Sequence, residues 1–408
     1  MTQDTALEVL KTGKNVFLTG EPGAGKTHTI NRFVEHLYML GKGYALTAST
    51  GIAATHIGGT TIHSWSGLGI KRVLTDYHYA KLDSDEYVVR RVNAAQVLII
   101  DEVSMLDATL IDNLDLILKH LRGSAQPFGG LQMIFVGDFF QLPPVVKEGE
   151  MKFAFESAAW KAADLQVCYL TEQHRQNDPV FLEILSAMRA GTITPEHRKT
   201  LELSVKEPEE QPETCLFTHN FDVDRVNDKE LSRIEGEEKS YEMFETGIPF
   251  LVSRLKESCL APQTLRLKIG ATVMFVRNNF DEGYVNGTIG EVVAWDSYGY
   301  PIVETRDGKR IVPERAEWAF EEYGQKKATI QQLPLRLAWA ITVHKSQGMS
   351  LDSASVDLSR AFECGQGYVA ISRVRSLAGL HLEGLNDKAF EMHPKVIEMD
   401  KIFREQGV

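Results

Sequence analysis

Residues 20–27 read Gly-Glu-Pro-Gly-Ala-Gly-Lys-Thr and follow the apolar run Asn15-Val16-Phe17-Leu18-Thr19. No other stretch restricts the fold so strongly, because a phosphate-binding loop works only between a strand and a helix. Gly23 and Gly25 lack a Cβ, so their amides can close around phosphate oxygens. In such a loop Lys26 reaches the β- and γ-phosphates, and the Thr27 hydroxyl ligates Mg²⁺. Downstream, Ile30, Phe33, Val34 and Leu37 fall on one helical face and Gly41 ends the run. Strand, loop and helix are all present, which predicts that Gly20, Pro22, Gly23, Ala24, Gly25, Lys26 and Thr27 bind a nucleoside triphosphate with Mg²⁺.

The first half continues as short β-branched runs alternating with amphipathic helices, the pattern of a parallel α/β sheet. Val97-Leu98-Ile99-Ile100 reads as a buried strand. Leu106, Leu110, Ile111, Leu114, Ile117, Leu118 and Leu121 then keep a helical period before the next strand, Gln132 to Val136. Between Lys71 and Arg91 the pattern lapses into a polar segment carrying Tyr77, His78, Tyr79 and Tyr87, which reads as a small insertion. A second α/β unit is expected from about Leu165, with strands at 214–217 and 355–356 and a helix around 365–373. From about 267 to 332 the texture changes to short strands at 271–276, 291–295, 302–305 and 310–312. Asn286-Gly287, Tyr298-Gly299 and Asp307-Gly308 separate them as turns, predicting a small antiparallel barrel inserted in the second unit.

Asp101-Glu102 directly follows the strand ending at Ile100. An Asp-Glu pair alone usually caps a helix or faces solvent. At the end of an apolar strand downstream of a phosphate loop, Asp101 is expected to hold Mg²⁺ and Glu102 to position and deprotonate the attacking water. The next strand runs into Gly137-Asp138-Phe139-Phe140-Gln141-Leu142-Pro143-Pro144-Val145. Gln141 can bond the γ-phosphate and report its loss, and the Pro-Pro pair stiffens the loop after it. A turn that merely ends a strand is the competing reading.

Composition narrows the class without naming it. The net charge of −12 argues mildly against non-specific coating of nucleic acid, yet allows a motor whose donors line one narrow channel. No apolar run approaches the length of a membrane span, and the N-terminus lacks a secretory pattern, so an intracellular, nucleoid-associated protein without membrane contact is expected. The four scattered cysteines show no metal-ligand spacing and read as reduced thiols.

The ordered set Gly20–Thr27, Thr47–Ala54, Asp101–Met105 and Gly137–Val145 resembles superfamily 1 helicases. Leu114-Asp115, Leu121-Arg122 and Pro127-Phe128-Gly129-Gly130-Leu131-Gln132 narrow the likeness to the 5′-to-3′ branch and the PIF family, with RecD and Dda as relatives. Leu170-Thr171-Glu172-Gln173-His174-Arg175-Gln176, Val343–Gly348 and Tyr368–Arg373 continue it. The resemblance implies two RecA-like parallel-sheet domains, at 1–64 with 96–164 and at 165–266 with 333–408. It further implies a pin at 65–95 and an SH3-like barrel at 267–332.

By the same resemblance, Lys26, Asp101, Glu102, Gln141, Arg175 and Arg373 form the catalytic set. Arg175 and Arg373 would reach the γ-phosphate from the second domain. Gln3 sits where the family reads adenine, although so near the chain start it equally reads as a frayed end, and Gly348 joins the nucleotide set. Short donors on loops after strands, Ser49, Thr50, Thr60, His63 and Ser64, suit DNA phosphates, as do Thr342, His344 and Lys345 in the second domain. Trp65, Phe140 and Tyr77 are of the type that stacks on bases but equally of the type that fills cores. Pro143 completes the DNA set.

The implied activity is ATP-driven 5′-to-3′ travel on single-stranded DNA by a monomer that splits duplex at single-strand junctions, with Tyr77 or His78 at the pin. A DNA-stimulated translocase subunit of a larger complex and an ATP-switched single-strand clamp are the alternatives.

Overall fold

The computed structural model describes residues 1–69, 72–144, 150–176, 178–203, 214–218, 220–277, 279, 281–284, 287–305, 308–322, 325–343, 346, 351 and 353–407. The chain divides into two compact units. The first comprises Met1–Thr194, Glu363–Ser372 and Asp387–Val408; the second comprises Pro195–Phe362 and Arg373–Asn386.

The first unit is built on a six-stranded sheet in the order Thr60–Thr61, Tyr44–Ala48, Val97–Asp101, Gln132–Val136, Val16–Gly20, Gln166–Leu170. Every neighbouring pair is parallel. Helices cover both faces, so the central strands are apolar throughout, and Val97–Ile100 are at most 2% exposed. Alternate residues serve opposite faces. Val16, Leu18, Ile99, Ile134 and Val136 pack with Leu10, Ile30 and Phe33 of the helices Gln3–Lys11 and Lys26–Met39. On the other face Phe17 and Phe135 meet the Trp160 ring, and Phe17 meets Phe403 of the helix Pro394–Gln406.

Two segments expected in the second α/β unit therefore lie in the first. The strand Gln166–Leu170 pairs with Val16–Gly20 over five residues, and its Cys168 and Leu170 complete the core of Val16 and Leu18. The C-terminal helix belongs there too: Tyr169 Oη donates to Asp400 Oδ1 at 3.0 Å. The division after this strand falls at Thr194, not at 165. Apolar periodicity marks Gln166–Leu170 as a strand, but only partners some 150 residues away choose its sheet.

The motif that singled out the PIF family proves to be a buttress. Asp115 Oδ1 accepts the Phe128 N–H at 2.6 Å, and Arg122 Nε donates to Gly129 O at 2.8 Å. Arg122 Nη1 also donates to the carbonyls of Val92 and Ala95. Phe128 and Gly129 have φ of 50° and 64°, and a Cβ on Gly129 would stand 2.5 Å from Leu118 O. Glycine is therefore required where this loop folds back on the helix Ala108–Arg122.

Within the polar insertion lie two helices, Asp76–Asp83 and Glu86–Ala94, separated by a short turn. Thr75 and His78 cap the first helix, the Thr75 N–H donating to His78 Nδ1 at 3.1 Å. Asp85 caps the second by accepting the Val88 N–H.

In the second unit a four-stranded parallel sheet runs Ala340–Thr342, Cys215–Phe217, Ala354–Leu358, Leu380–Leu385. A five-stranded antiparallel sheet follows the order Arg310–Ile311, Pro301–Thr305, Ile289–Trp295, Thr272–Phe275, Leu335–Leu337. Its strands match the positions expected for the barrel. Gly299 and Gly308 have φ of 85° and 77° at two of the expected turns. The expected range differs at its end, however: it stops short of Leu335–Leu337 and takes in two strands of another sheet. Gln325–Gln332 pairs instead with Ala316–Glu322 on one side and Phe244–Gly247 on the other in a separate three-stranded sheet, under the helix Pro249–Ser258. Ala328 and Ile330 pack there with Val252.

Candidate functional site

The phosphate loop leaves the sheet at the carboxyl end of Val16–Gly20 and enters the helix Lys26–Met39. Gly23 and Gly25 have φ of 88° and 86°, which an L side chain rarely adopts. Space is as restrictive as conformation. A Cβ on Gly25 would stand 2.1 Å from Gln3 Nε2, and one on Gly23 would stand 2.5 Å from Arg175 Cβ. Lys26 Nζ donates to the carbonyls of Gly20 and Glu21 at 2.8 and 3.1 Å, so its ammonium sits inside the loop. Burial lowers the Lys26 pKa, and the carboxylates of Asp138, Glu102 and Asp101 act in the opposite direction.

Gln3 does not fray. It opens the helix Gln3–Lys11, its N–H donates to Glu172 Oε2 at 2.9 Å, and its Nε2 points to Ala24 O at 3.4 Å.

Asp101 closes the neighbouring strand Val97–Asp101. Burial first, and then the adjacent Glu102 charge, push its carboxyl up to about 7, against the Glu102 N–H at 2.8 Å and the Lys26 charge. A carboxylate that resists ionisation this way is one that a cation would stabilise. Thr27 and Asp101 are two hard oxygen donors of the kind that would suit Mg²⁺ beside a bound triphosphate. Glycine cradle, ammonium and donor pair together fit a Mg²⁺–nucleoside triphosphate.

The raised pKa carries a stability consequence. The folded protein holds a proton on Asp101 that the unfolded chain, with the ordinary value of 3.8, has released. This group therefore weakens the fold as pH rises from about 4 through 7. Asp101→Asn is expected to melt above the wild type near pH 8 in buffer free of divalent cations. The difference should shrink steadily toward about pH 4. A difference that grows on acidification would contradict the assignment.

Glu102 adopts φ 52°, ψ 45°, the left-handed region that costs a residue with a side chain about 1–3 kcal/mol. Ser49 N–H donates to Asp101 O and Met105 N–H to Glu102 O, holding the turn on both sides.

On the next strand's turn, Asp138 is fully buried and Gln141 is 6% exposed. The Gln141 N–H donates to Asp138 O at 3.0 Å, and the Phe140 N–H to Asp138 Oδ1 at 3.2 Å. Asp138 Oδ2 in turn accepts Arg189 Nη1 at 2.6 Å.

The segment Thr171–Gln176 continues from the sixth strand and lies across the phosphate loop. His174 N–H donates to Gly23 O at 3.1 Å, and Gln173 Nε2 donates to Glu21 Oε2 at 3.0 Å. Arg175 thus belongs to the first unit, not to the second domain as expected, and its Nη1 donates to Ser372 O at 3.2 Å. Arg373 is 1% exposed, and its carbonyl accepts the Leu351 N–H.

The expected DNA set divides. Ser49 and Thr50 follow the strand Tyr44–Ala48, Thr60 opens the two-residue strand Thr60–Thr61 and His63 and Ser64 follow it, at the carboxyl edge of the sheet that also carries the phosphate loop. That edge is where open parallel sheets bind ligands. Ser49 Oγ is buried without a hydrogen-bond partner among the described residues.

Trp65 and Phe140 are corrections. They are 8% and 3% exposed, and the Phe140 ring lies 4.2 Å from the Arg189 guanidinium carbon, so neither presents a face for a base. Pro143 and Thr342 are buried as well. Tyr77 is 71% exposed. His344, Lys345 and Gly348 lie outside the described residues.

Arg189 went unnoticed in the sequence, and Tyr368 entered only as part of a motif, with no role assigned. A signal existed for the first: Phe181, Ile184, Leu185 and Met188 form the buried stripe of the helix Pro179–Ala190, and Arg189 falls four residues after Leu185 on that stripe.

A phosphate loop, an acidic pair and the buried Gln141 turn on one parallel sheet define a P-loop nucleoside triphosphatase. The PIF1-like helicase model matches residues 3–199, and the model of the DNA helicase Pif1 2B domain matches residues 250–295. An ATP-dependent DNA helicase Pif1 of Psychrobacter sp. is 41% identical, over 99% of this chain and 71% of its own length. The chain spans 63% of the Xenopus laevis PIF1 that it also matches. Among solved structures, the Pif1 helicase of Candida albicans superposes with a TM-score of 0.86 at 37% identity, covering 98% of both chains. Pif1 of Bacteroides sp. in complex with ADP-AlF4 gives 0.83 at 30% identity over 99% and 97%. Bacteroides Pif1 bound to single-stranded DNA gives 0.74 at the same identity, over 99% and 96%. The chain belongs to the PIF1-like helicase family, whose members are ATP-dependent DNA helicases.

Proposed function

We propose that this ATP-dependent DNA helicase moves 5′ to 3′ along single-stranded DNA and opens duplex at the junction, with Mg²⁺ bound by Thr27 and Asp101. The observation that carries the reading is the shared carboxyl edge of the six-stranded sheet. Phosphate loop, acidic pair and Gln141 turn lie there beside the Ser49–Thr50 and Thr60–Ser64 segments. Nucleotide and track are thereby served by adjacent strand ends of one rigid sheet.

Mg²⁺, when bound, neutralises charge on the transferring phosphoryl group. Lys26 binds the β- and γ-phosphates, Glu102 takes the proton of the attacking water, and Gln141 senses the γ-phosphate. Arg175 and Arg373 supply guanidinium charge to the leaving phosphoryl oxygens. Serine and threonine hydroxyls and His63 grip the DNA backbone, while Gln3 reads the base of the nucleotide. The antiparallel sheet of the second unit supplies an SH3-like barrel, and the helical insertion at 65–95 the pin. Tyr77 presents its ring there, whereas His78 is held in a helix cap. The acting form is a monomer.

Two partial duplexes test the reading, one with a 5′ single-stranded tail and one with a 3′ tail, each incubated with Mg²⁺-ATP. Unwinding of the 5′-tailed duplex alone is expected. Unwinding of the 3′-tailed duplex would overturn the polarity, and DNA-stimulated hydrolysis with neither opened would favour a translocase awaiting a partner.

A further inference from the structure

Arg189 is 3% exposed, yet it is the meeting point of five segments of the first unit. Its Nη1 donates to Asp138 Oδ2 at 2.6 Å and to Tyr368 Oη at 3.0 Å. Its Nη2 donates to Tyr169 Oη at 2.9 Å and lies 3.6 Å from Asp400 Oδ1. The Nε stands 4.0 Å from Glu21 Oε1 of the phosphate loop and has no hydrogen-bond partner among the described residues. The guanidinium plane is backed by the Phe140 ring.

These contacts converge on the turn that carries Gln141. The Asp138 carboxylate accepts the Phe140 N–H and the Asp138 main-chain carbonyl accepts the Gln141 N–H, so the residue that Arg189 holds in place anchors both peptides of the turn. Gly365, at φ +81°, also lies so close to the turn that a Cβ there would be 2.5 Å from Phe140 O and 2.8 Å from Gln141 O. Gly365 caps the helix Gln366–Ile371, which carries Tyr368. The turn is thus gripped between a buried cation and the helix that the same cation bonds.

A buried carboxylate such as Asp138 requires a paired, hydrogen-bonded cation. A lysine would satisfy the charge alone. The planar fork instead bonds Asp138, Tyr368 and Tyr169 in fixed directions.

We propose that Arg189 is a positioning residue for ATP hydrolysis: without touching the nucleotide, it aligns Gln141 through Asp138 and ties that alignment to the Tyr368 helix. The inference rests on Gln141 being the γ-phosphate sensor.

A double-mutant cycle in single-stranded-DNA-stimulated ATP hydrolysis tests it. Arg189→Lys keeps a cation but loses the fork, and is expected to lower kcat by about 10–100-fold, as for a misplaced catalytic group. KM for ATP and affinity for ADP should stay within a few-fold. In a Gln141→Ala background the same lysine substitution should cost almost nothing more, because the group it aligns is gone.

Equal losses in both backgrounds, or a loss confined to KM, would overturn the proposal and leave Arg189 a structural ion pair. An unchanged kcat in Gln141→Ala alone would instead overturn the sensor reading. If the lysine variant does not fold, Tyr368→Phe runs the same cycle. It removes one hydroxyl and leaves the Arg189–Asp138 pair intact. A smaller, Gln141-dependent loss is expected, and an unchanged or Gln141-independent kcat overturns the proposal.

Discussion

Alanine in place of Arg175 is expected to lower ATP turnover by about 10³-fold or more, the range associated with removing an arginine that stabilises the transferring phosphoryl group. Its backbone is fixed at the phosphate loop: the preceding residue, His174, bonds Gly23 O, and a Cβ on Gly23 would be 2.5 Å from Arg175 Cβ. The side chain is half-buried and bonds the Ser372 carbonyl, so its loss should not unfold the unit. Affinity for ADP should hold within a few-fold, because the charge is needed at the γ-position. Arg175→Lys should recover only part of the loss, since an ammonium offers a point charge where the guanidinium offers a fork. Steady-state hydrolysis with single-stranded DNA, together with ADP titration, reads both quantities. Turnover within tenfold of the wild type would show that Arg175 only braces the loop.

Glu102→Gln should cut turnover by about 10²–10⁴-fold, the usual contribution of a positioned general base. Glutamine matches the shape and keeps the backbone, so ATP binding should survive. The left-handed conformation of Glu102 supports the assignment. A strain of about 1–3 kcal/mol persists only where surroundings over-determine it. Here the bonds of Ser49 to Asp101 O and of Met105 to Glu102 O do so. Single-turnover hydrolysis and binding of a fluorescent ATP analogue separate chemistry from affinity. Hydrolysis at the wild-type rate would move the base elsewhere.

Much of the nucleotide site was legible in the residues because its demands are local. Glycine at 23 and 25 answers a backbone requirement, and Asp101-Glu102 directly follows a strand that periodicity alone reveals. The short antiparallel strands from 272 to 311 were legible for the same reason, glycine turns between apolar runs. The DNA-facing aromatics were not. Trp65 and Phe140 have the chemistry of stacking residues, but a ring offers the same apolar surface to a base and to a core, and the structure buries both.

The sequence by itself determined a P-loop chain with a parallel sheet, the strand, glycine loop and helix in which the expected nucleotide residues lie, and the family to which the ordered motifs point. These follow from spacing, turn chemistry and side-chain type within a few tens of residues. Tertiary structure alone decided that Gln166–Leu170 and the C-terminal helix join the first sheet, that Arg175 lies with the phosphate loop, and that Arg189 binds Asp138, Tyr368 and Tyr169. Those outcomes depend on which apolar faces and buried charges find one another across 20 to 231 residues of chain. A local pattern specifies that such a face or charge needs a partner; only the packed fold specifies which one it has.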